Sequence, residues 1–349
     1  MNAKAVFLAL LLPLPALAQG FAGLGATADG FALPERRELV FPADHGAHPA
    51  FRVEWWYLTA TLTGTDGTDY GAQWTLFRTA LAPDDGKGWG SPQVWMGHAA
   101  VTTPDRHFVA ERLARGGIGQ AGVTALPFAA WIDDWQMTGA DAAKGDALDH
   151  LGLTARGTEF GYALDLVAEG PIVPQGDRGY SVKSAKGQAS HYYSQPFYRV
   201  AGRLDLPGGA VPVTGRAWLD REWSSQPLAA DQTGWDWFSL MFDDGARLMA
   251  FRLRDGGAGF TSATWIAADG TPSPLSPGAL TLTPLERAEV AGRDLPVSWR
   301  LELPARDLDV TVRAPNPQAW MAVSVPYWEG PIRIEGSRSG RGYLEMTGY

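Results

Sequence analysis

The run Ala217-Trp218-Leu219-Asp220-Arg221-Glu222-Trp223 sets two carboxylic acids beside an indole. If it is extended, its side chains alternate between faces. Trp218, Asp220 and Glu222 then share one face, and Leu219, Arg221 and Trp223 the other. Two acids beside an indole are costly to bury unless their face is wet or functional. A plain strand, its acids paired with Arg221 or a neighbour, accounts for this run alone. Similar knots of acid, aromatic and histidine recur elsewhere, and they turn the reading toward chemistry. Glu54 stands among Trp55, Trp56 and Tyr57, either buried and satisfied or lining a pocket. Burial raises a carboxyl pKa and suits the group to donating a proton.

Protonating an alkene needs a carboxylic acid held neutral in a dry pocket. The resulting cation needs the electron-rich faces of indole or phenol rings. Asp220 or Glu222 as the acid, with Trp218, Trp235, Trp237 and Tyr193 as walls, meets both needs. Tyr192, His191 or Glu54 would position the water. In Ser190-His191-Tyr192-Tyr193-Ser194, His191 and Tyr193 share one face, and Tyr192 and Ser194 the other. Neither serine sits in a Gly-x-Ser-x-Gly elbow, which disfavours a serine-hydrolase triad. His45 and His48 lie in a loop beside Pro49 with no evident third ligand, so no metal site is expected. His98, in the apolar run from Gln93 to Thr102, reads first as a satisfied core histidine.

These residues need strands to hold them. The 349 residues include 42 Gly, 25 Pro and 15 Trp, a composition of many short strands joined by tight turns. Phe51 to Leu62 and Tyr70 to Arg78 form a hairpin around a turn at Gly64 to Gly67. Phe108 to Arg115 reads as an irregular connection. Phe197 to Leu206 and Val211 to Trp223 form another hairpin. Asp243-Asp244-Gly245 closes a third, between Trp235–Phe242 and Arg247–Leu253. The polar bridge from Ser224 to Gly234 marks a boundary, giving domains at 37–226 and 227–349.

Residues 1–18 read as a signal peptide, with Lys4 ahead of an apolar run and a small-residue site at Ala16-Leu17-Ala18. Export to the periplasm or beyond is therefore expected, with no transmembrane segment in the mature chain. Residues 19–36, rich in Gly and Ala, read as a flexible lead-in. The chain has no cysteine, which excludes a lipid-anchored lipoprotein, disulfides and thiol chemistry. A net charge of -9 without a basic cluster argues against nucleic acid as a partner.

Several runs together resemble the AttH-type, carotenoid 1,2-hydratase-like family, in its exported branch of predicted secreted hydrolases. They are Asp44-His45-Gly46 through Glu54-Trp55-Trp56-Tyr57, Tyr70 to Arg78 with Gln73, His191 to Ser194, Trp218 to Trp223, Gly234 to Phe238, Tyr327-Trp328-Glu329-Gly330, and Gly342 to Tyr349. The resemblance covers residues 36 to 349. It implies an all-β fold of two tandem lipocalin-like (calycin) antiparallel β-barrel domains with a cavity near their junction. Relatives hydrate isoprenoid double bonds or plant phenolics, or steer polyene cyclisations, and no cofactor or metal is implied. In the hydratases an acidic residue near the middle motif protonates the alkene, and the matching position is Asp220. Aromatic and histidine positions there match Trp218, His191, Tyr193 and Trp237.

The reading is then an exported enzyme acting on a hydrophobic, isoprenoid or lipid-like substrate by acid-catalysed hydration or hydrolysis. Its candidate catalytic residues are Asp220, Glu222, His191, Tyr193 and Glu54. Its candidate binding residues are Trp56, Tyr57, Gln73, His98, Tyr192, Trp218, Trp235, Trp237, Trp328 and Glu329. The alternative is a periplasmic binding protein for an apolar ligand, linked to the ABC-type permeases near which relatives are encoded.

Overall fold

Frequent Gly and Pro leave little uninterrupted chain for helix. A computed structural model describes residues 20–84, 86–139 and 145–349. The segment read as a signal peptide lies outside them. Among the described residues helix is confined to short 3-10 turns, and none is long and apolar enough to cross a membrane.

The strands of the first sheet are β1 (Val53–Gly64), β2 (Asp69–Ala80), β3 (Gln93–Thr102), β4 (His107–Arg115), β5 (Ala121–Ala125), β6 (Phe128–Ile132) and β7 (Trp135–Gly139). They continue with β8 (His150–Arg156), β9 (Gly161–Ala168), the short β10 (Val173–Pro174) and β11 (Tyr180–Val182), β12 (Ala189–Leu206) and β13 (Gly209–Ser224). Their order, β4-β3-β2-β1-β13-β12-β9-β8-β7-β6-β5, curls into a nearly closed antiparallel barrel. The second sheet draws on β14 (Gly234–Phe242), β15 (Arg247–Arg254), β16 (Phe260–Ile266), β17 (Pro272–Pro274) and β18 (Thr281–Pro284). The pair β19 (Arg287–Val290) and β20 (Arg293–Pro296) stands apart. It is followed by β21 (Ser298–Leu303), β22 (Leu308–Arg313), β23 (Trp320–Met321), β24 (Tyr327–Gly336) and β25 (Gly340–Met346). The order β17-β16-β15-β14-β25-β24-β22-β21-β18 makes a half-barrel. The fold is thus all-β, with tandem lipocalin-like barrels.

The hairpins β1–β2, β12–β13 and β14–β15 form in register. Gly245 closes the last with φ 95°, a conformation that a Cβ disfavours. Two segments differ from expectation. Phe108 to Arg115 lies within β4, paired with β3 along its length. The run 190–194 continues straight into β12, because the Pro196 ring, lacking an N–H, is absorbed by a register shift between Gln195 and Tyr198. There the Gln195 side chain accepts the Phe197 N–H at 3.1 Å.

Each barrel has its own apolar core. The first holds Trp56, Leu58, Trp74, Tyr193 and Trp223, and the second Phe238, Leu248, Trp299 and Trp328. A third cluster joins them, where Tyr57, Tyr192 and Trp218 of the first meet Trp237, Met249, Phe251 and Tyr343 of the second. The sheets approach so closely there that a Cβ on Gly71 would lie 2.5 Å from the Tyr343 hydroxyl and 2.8 Å from Pro331. Residues 20–24, expected to be flexible, are docked instead. Backbone bonds from Gly20 to Ala230 and Phe21 to Gln232 hold them, and the Phe21 ring meets Trp235 edge-on at 5.4 Å.

Candidate active site

Pleat alternation sends Trp218, Asp220 and Glu222 out of the first barrel, toward the second. Register sets Tyr57 and Ser194 beside Asp220, and Trp55 and Tyr192 beside Glu222. From the second barrel, β14 presents Trp235 and Trp237, β15 Phe251 and Leu253, and β25 Glu345. A cavity of about 240 Å³ lies between these faces. Its walls are mostly apolar and aromatic, including Trp55, Tyr57, Phe77, Tyr192, Trp235, Trp237, Phe251 and Tyr327. Asp220, Glu222, Glu345, Lys183, His98, Glu54 and Arg78 are the acidic and basic residues among them, and Phe21 and Leu24 of the docked N-terminal segment close part of the mouth.

Asp220 is the best-defined group. Its Oδ1 accepts from Ser194 Oγ at 2.5 Å and from Trp218 Nε1 at 2.7 Å. Burial pushes its carboxyl up to about 7, aided by Glu222 and opposed by hydrogen bonds from Ser194, Trp218 and Tyr192. The Tyr192 hydroxyl accepts from Trp237 Nε1 at 3.2 Å, which ties Asp220 to both barrels. Glu222 is ion-paired with Lys183 Nζ at 2.7 Å and accepts from Ser190 Oγ at 2.5 Å. Lys183 also sits over the Tyr192 and Phe251 rings, 4.8 and 4.3 Å from their centroids.

A second acidic pair faces Asp220 from the other barrel. Glu329 and Glu345 stand opposite each other across β24 and β25. Trp235 Nε1 donates to Glu345 at 2.7 Å, and the Tyr57 hydroxyl to Glu329 at 2.5 Å. Burial first, and the partner carboxyl second, push Glu329 well above the usual range. Burial raises Glu345 too, with Asp220 and Glu222 adding to it.

The other expected site residues separate. His191 and Tyr193 point into the first barrel, on the face of β12 opposite Tyr192, so neither reaches Asp220. The Tyr193 hydroxyl bonds His45 Nδ1 at 2.7 Å. His191 packs on Trp223 and Phe51, and burial lowers it to about 4. Glu54 borders the cavity, but its carboxylate is turned inward against Arg78 and Arg221. Burial alone would raise it, but Arg221 and Arg78 outweigh that and hold it ionised, well below the usual carboxylate range. Arg221 approaches it at 2.5 Å, and Arg78 closes the other side. These two guanidinium groups favour a carboxylate rather than a proton donor at Glu54. Trp56 and Trp328 belong to the two barrel cores. Trp218 supports Asp220 from outside the cavity wall. Gln73 is buried on β2 against Thr75, away from the cavity. Tyr57, His98, Tyr192, Trp235 and Trp237 do line it.

Lys183, Ser194, Phe251, Tyr327 and Glu345 were not among the expected site residues. Glu345 had a legible signal, an acid inside the apolar run Tyr343-Leu344-Glu345-Met346. Lys183 had none, since it lies in a turn-rich segment.

Barrels joined face to face over an aromatic, acid-bearing cavity define a two-domain lipocalin-like protein. The AttH-like family model matches residues 32–349, and the chain belongs to that family. An AttH protein from Nitrosomonas europaea is similar at 30% identity and TM-score 0.79, over 91% of this chain and 99% of that one. Kievitone hydratase from Nectria haematococca shares the fold at TM-score 0.67 and 15% identity, over 91% and 98% of the two chains. So does CghA, solved with Sch210972, at TM-score 0.55 and 14% identity over 92% and 97%. No curated protein matches the chain.

Proposed function

We propose that this chain is a cofactor-independent hydratase that adds water across a carbon–carbon double bond of a hydrophobic, isoprenoid or lipid-like substrate. The observation that carries the reading is the placing of Asp220, a buried acid hydrogen-bonded on Oδ1 at the wall of an aromatic cavity, where burial raises its carboxyl to about 7. In this reading Asp220 gives its proton to one alkene carbon, and the cation forms at the other. Indole and phenol rings of Trp235, Trp237 and Tyr192 stabilise it. Water adds to the cation, and its surplus proton passes to Glu345, which is raised to about 7 like Asp220, enters the step ionised, and returns the proton to Asp220 for the next turnover. Lys183 and Glu222 offset each other's charge, so this pair adds little to oppose the intermediate. A family that includes solved relatives of hydratase fold supports the type of chemistry. Hydrolysis has weaker support, because among the described residues no standard nucleophile–base set lines the cavity.

The apolar lining also favours a second reading, a carrier of an apolar ligand that serves an ABC-type permease. The apolar run at residues 5–14 and the small-residue site after it support export to the periplasm in either case. Mass spectrometry of an organic extract of the native protein would supply the ligand, which is then incubated with the protein in oxygen-18 water. Label uptake that disappears in Asp220→Asn supports the hydratase. A bound ligand recovered unchanged leaves the carrier. Full turnover in Asp220→Asn ends the assignment of Asp220.

A further inference from the structure

Glu329 does not line the cavity, yet it is buried to 1% exposure between the barrels. Tyr57 donates to its Oε1, while Oε2 is buried and engages no partner in the resting geometry. The Tyr327 phenol, two residues away on the same face of β24, lies beside the carboxyl without bonding it at rest, so a small side-chain movement closes the first link. Beyond it the contacts cross back to the first barrel. Tyr327 Oη lies 3.0 Å from His98 Nδ1, and the two rings stack at 5.6 Å. His98 Nε2 lies 3.2 Å from Glu111 Oε1. The Glu111 side chain is 22% exposed, and it accepts from Ser324 N and Oγ at 3.0 and 2.7 Å. The series therefore starts at a fully enclosed acid and ends at solvent.

We infer that Glu329, Tyr327, His98 and Glu111 form a proton path that connects the buried carboxyls between the two barrels with solvent. With Glu329 protonated and closed on Tyr327, and His98 carrying its hydrogen on Nε2, every acceptor has a donor on its inner side. The Glu329 proton passes to Tyr327 Oη as the phenol's own proton passes to His98 Nδ1. The Nε2 proton then passes to the Glu111 carboxylate, which releases it to water. Each link gains one proton and loses one, so only Glu329 and Glu111 change charge. Run backward, the same bonds reload Glu329.

The surroundings favour the required states. Burial lowers His98, against the pull of Glu111, and so keeps a neutral ring with one donor and one acceptor nitrogen. Hydrogen bonding to His98 in turn lowers Glu111 and keeps it an acceptor. Glu329 is faced by Glu345 from β25, Tyr57 from β1 and Tyr327 on its own strand. Tyr343 and Tyr162 also feel its charge. What the path serves rests on the hydratase reading, in which Glu345, opposite Glu329, receives a proton in each turnover. Tyr327 and His98 are then relay residues, and Glu111 positions the outer end.

The test follows hydrogen–deuterium exchange of the full chain by infrared spectroscopy after rapid mixing into heavy water. The protonated-carboxyl band that Glu329→Gln removes is the probe. His98→Phe and Glu111→Gln are each expected to slow its exchange about a hundredfold, the scale on which a positioned proton-transfer group acts. Imidazole added to His98→Ala is expected to restore the rate, which a merely structural role of His98 would not predict. Wild-type exchange in folded Glu111→Gln overturns the path and routes the proton through the cavity instead. Absence of any band that depends on Glu329 overturns it as well. If His98→Phe does not fold, Glu111→Gln decides, since Gln keeps an acceptor for Ser324. No substrate enters this experiment, so its failure leaves the hydratase reading standing, and turnover in Asp220→Asn leaves the path standing.

Discussion

Asp220 and Glu54 are both buried acids, and their surroundings drive them in opposite directions. Asp220 has neutral donors and an acidic neighbour, so burial dominates. Between its ordinary value of 3.8 and about 7, the folded chain keeps a proton that the unfolded chain has released. Stability from this group is complete below that window and is lost as pH rises through it. Asp220→Asn is therefore expected to abolish turnover and yet to stabilise the fold above neutral pH by roughly 4 kcal/mol. Urea melts of both proteins should converge below pH ~3, where Asp220 is protonated in either state. Glu54 has two guanidinium groups, and its folded value is depressed. Its stabilisation is present above the ordinary carboxylate range and lost as pH falls through it. Glu54→Gln leaves Arg78 and Arg221 buried and underpaired, which should cost about 3–5 kcal/mol in denaturant melts at neutral pH.

At the scale of elements, strand pleat sorts the aromatic runs. In β1, Trp55 and Tyr57 reach the cavity while Glu54 and Trp56 turn into the first barrel. In β12, the same alternation parts Tyr192 from His191 and Tyr193. The docked segment at residues 20–24 adds a wall that belongs to neither sheet. Its hold is a few backbone bonds and the contacts of Phe21 and Leu24. Phe21→Ala with Leu24→Ala should open the mouth and expose the Trp235 edge. Red-shifted tryptophan emission and severalfold weaker binding of an apolar fluorescent probe are the expected readouts, on the scale of burying one or two apolar side chains. Unchanged emission would mean that Trp235 is covered by something other than this segment.

For the whole molecule, the consequence is coupling. Asp220 comes from one barrel, and Trp237 and Glu345 from the other, so the site exists only while the barrels stay docked. The junction cluster is apolar and continuous with the cavity, and calorimetry should show a single unfolding transition. Gly71 sits where the sheets are closest. Gly71→Val should separate the barrels, split the transition in two and abolish apolar-probe binding, while each barrel keeps its strand signal in circular dichroism. A single transition for that variant would show that the junction tolerates the added side chain.

The all-β class, the main hairpins and the face shared by Trp218, Asp220 and Glu222 were legible in the sequence because each depends on local order. Pleat alternation and turn chemistry act over a few residues, so Asp243-Asp244-Gly245 and the 217–223 run announce themselves. The separation of His191 and Tyr193 from Asp220 needed the register of β12 on β13, because parity within each run says nothing about how two runs align. The environment of Glu54 needed Arg221 from a strand some 170 residues later, which no neighbour in sequence foretells. Lys183, Glu345 and the series from Glu329 to Glu111 were likewise decided by docking. Sequence alone determined that acids and aromatic rings would share strand faces. Only the tertiary structure decided which acids meet in one dry space, because desolvation and charge pairing depend on what packs opposite.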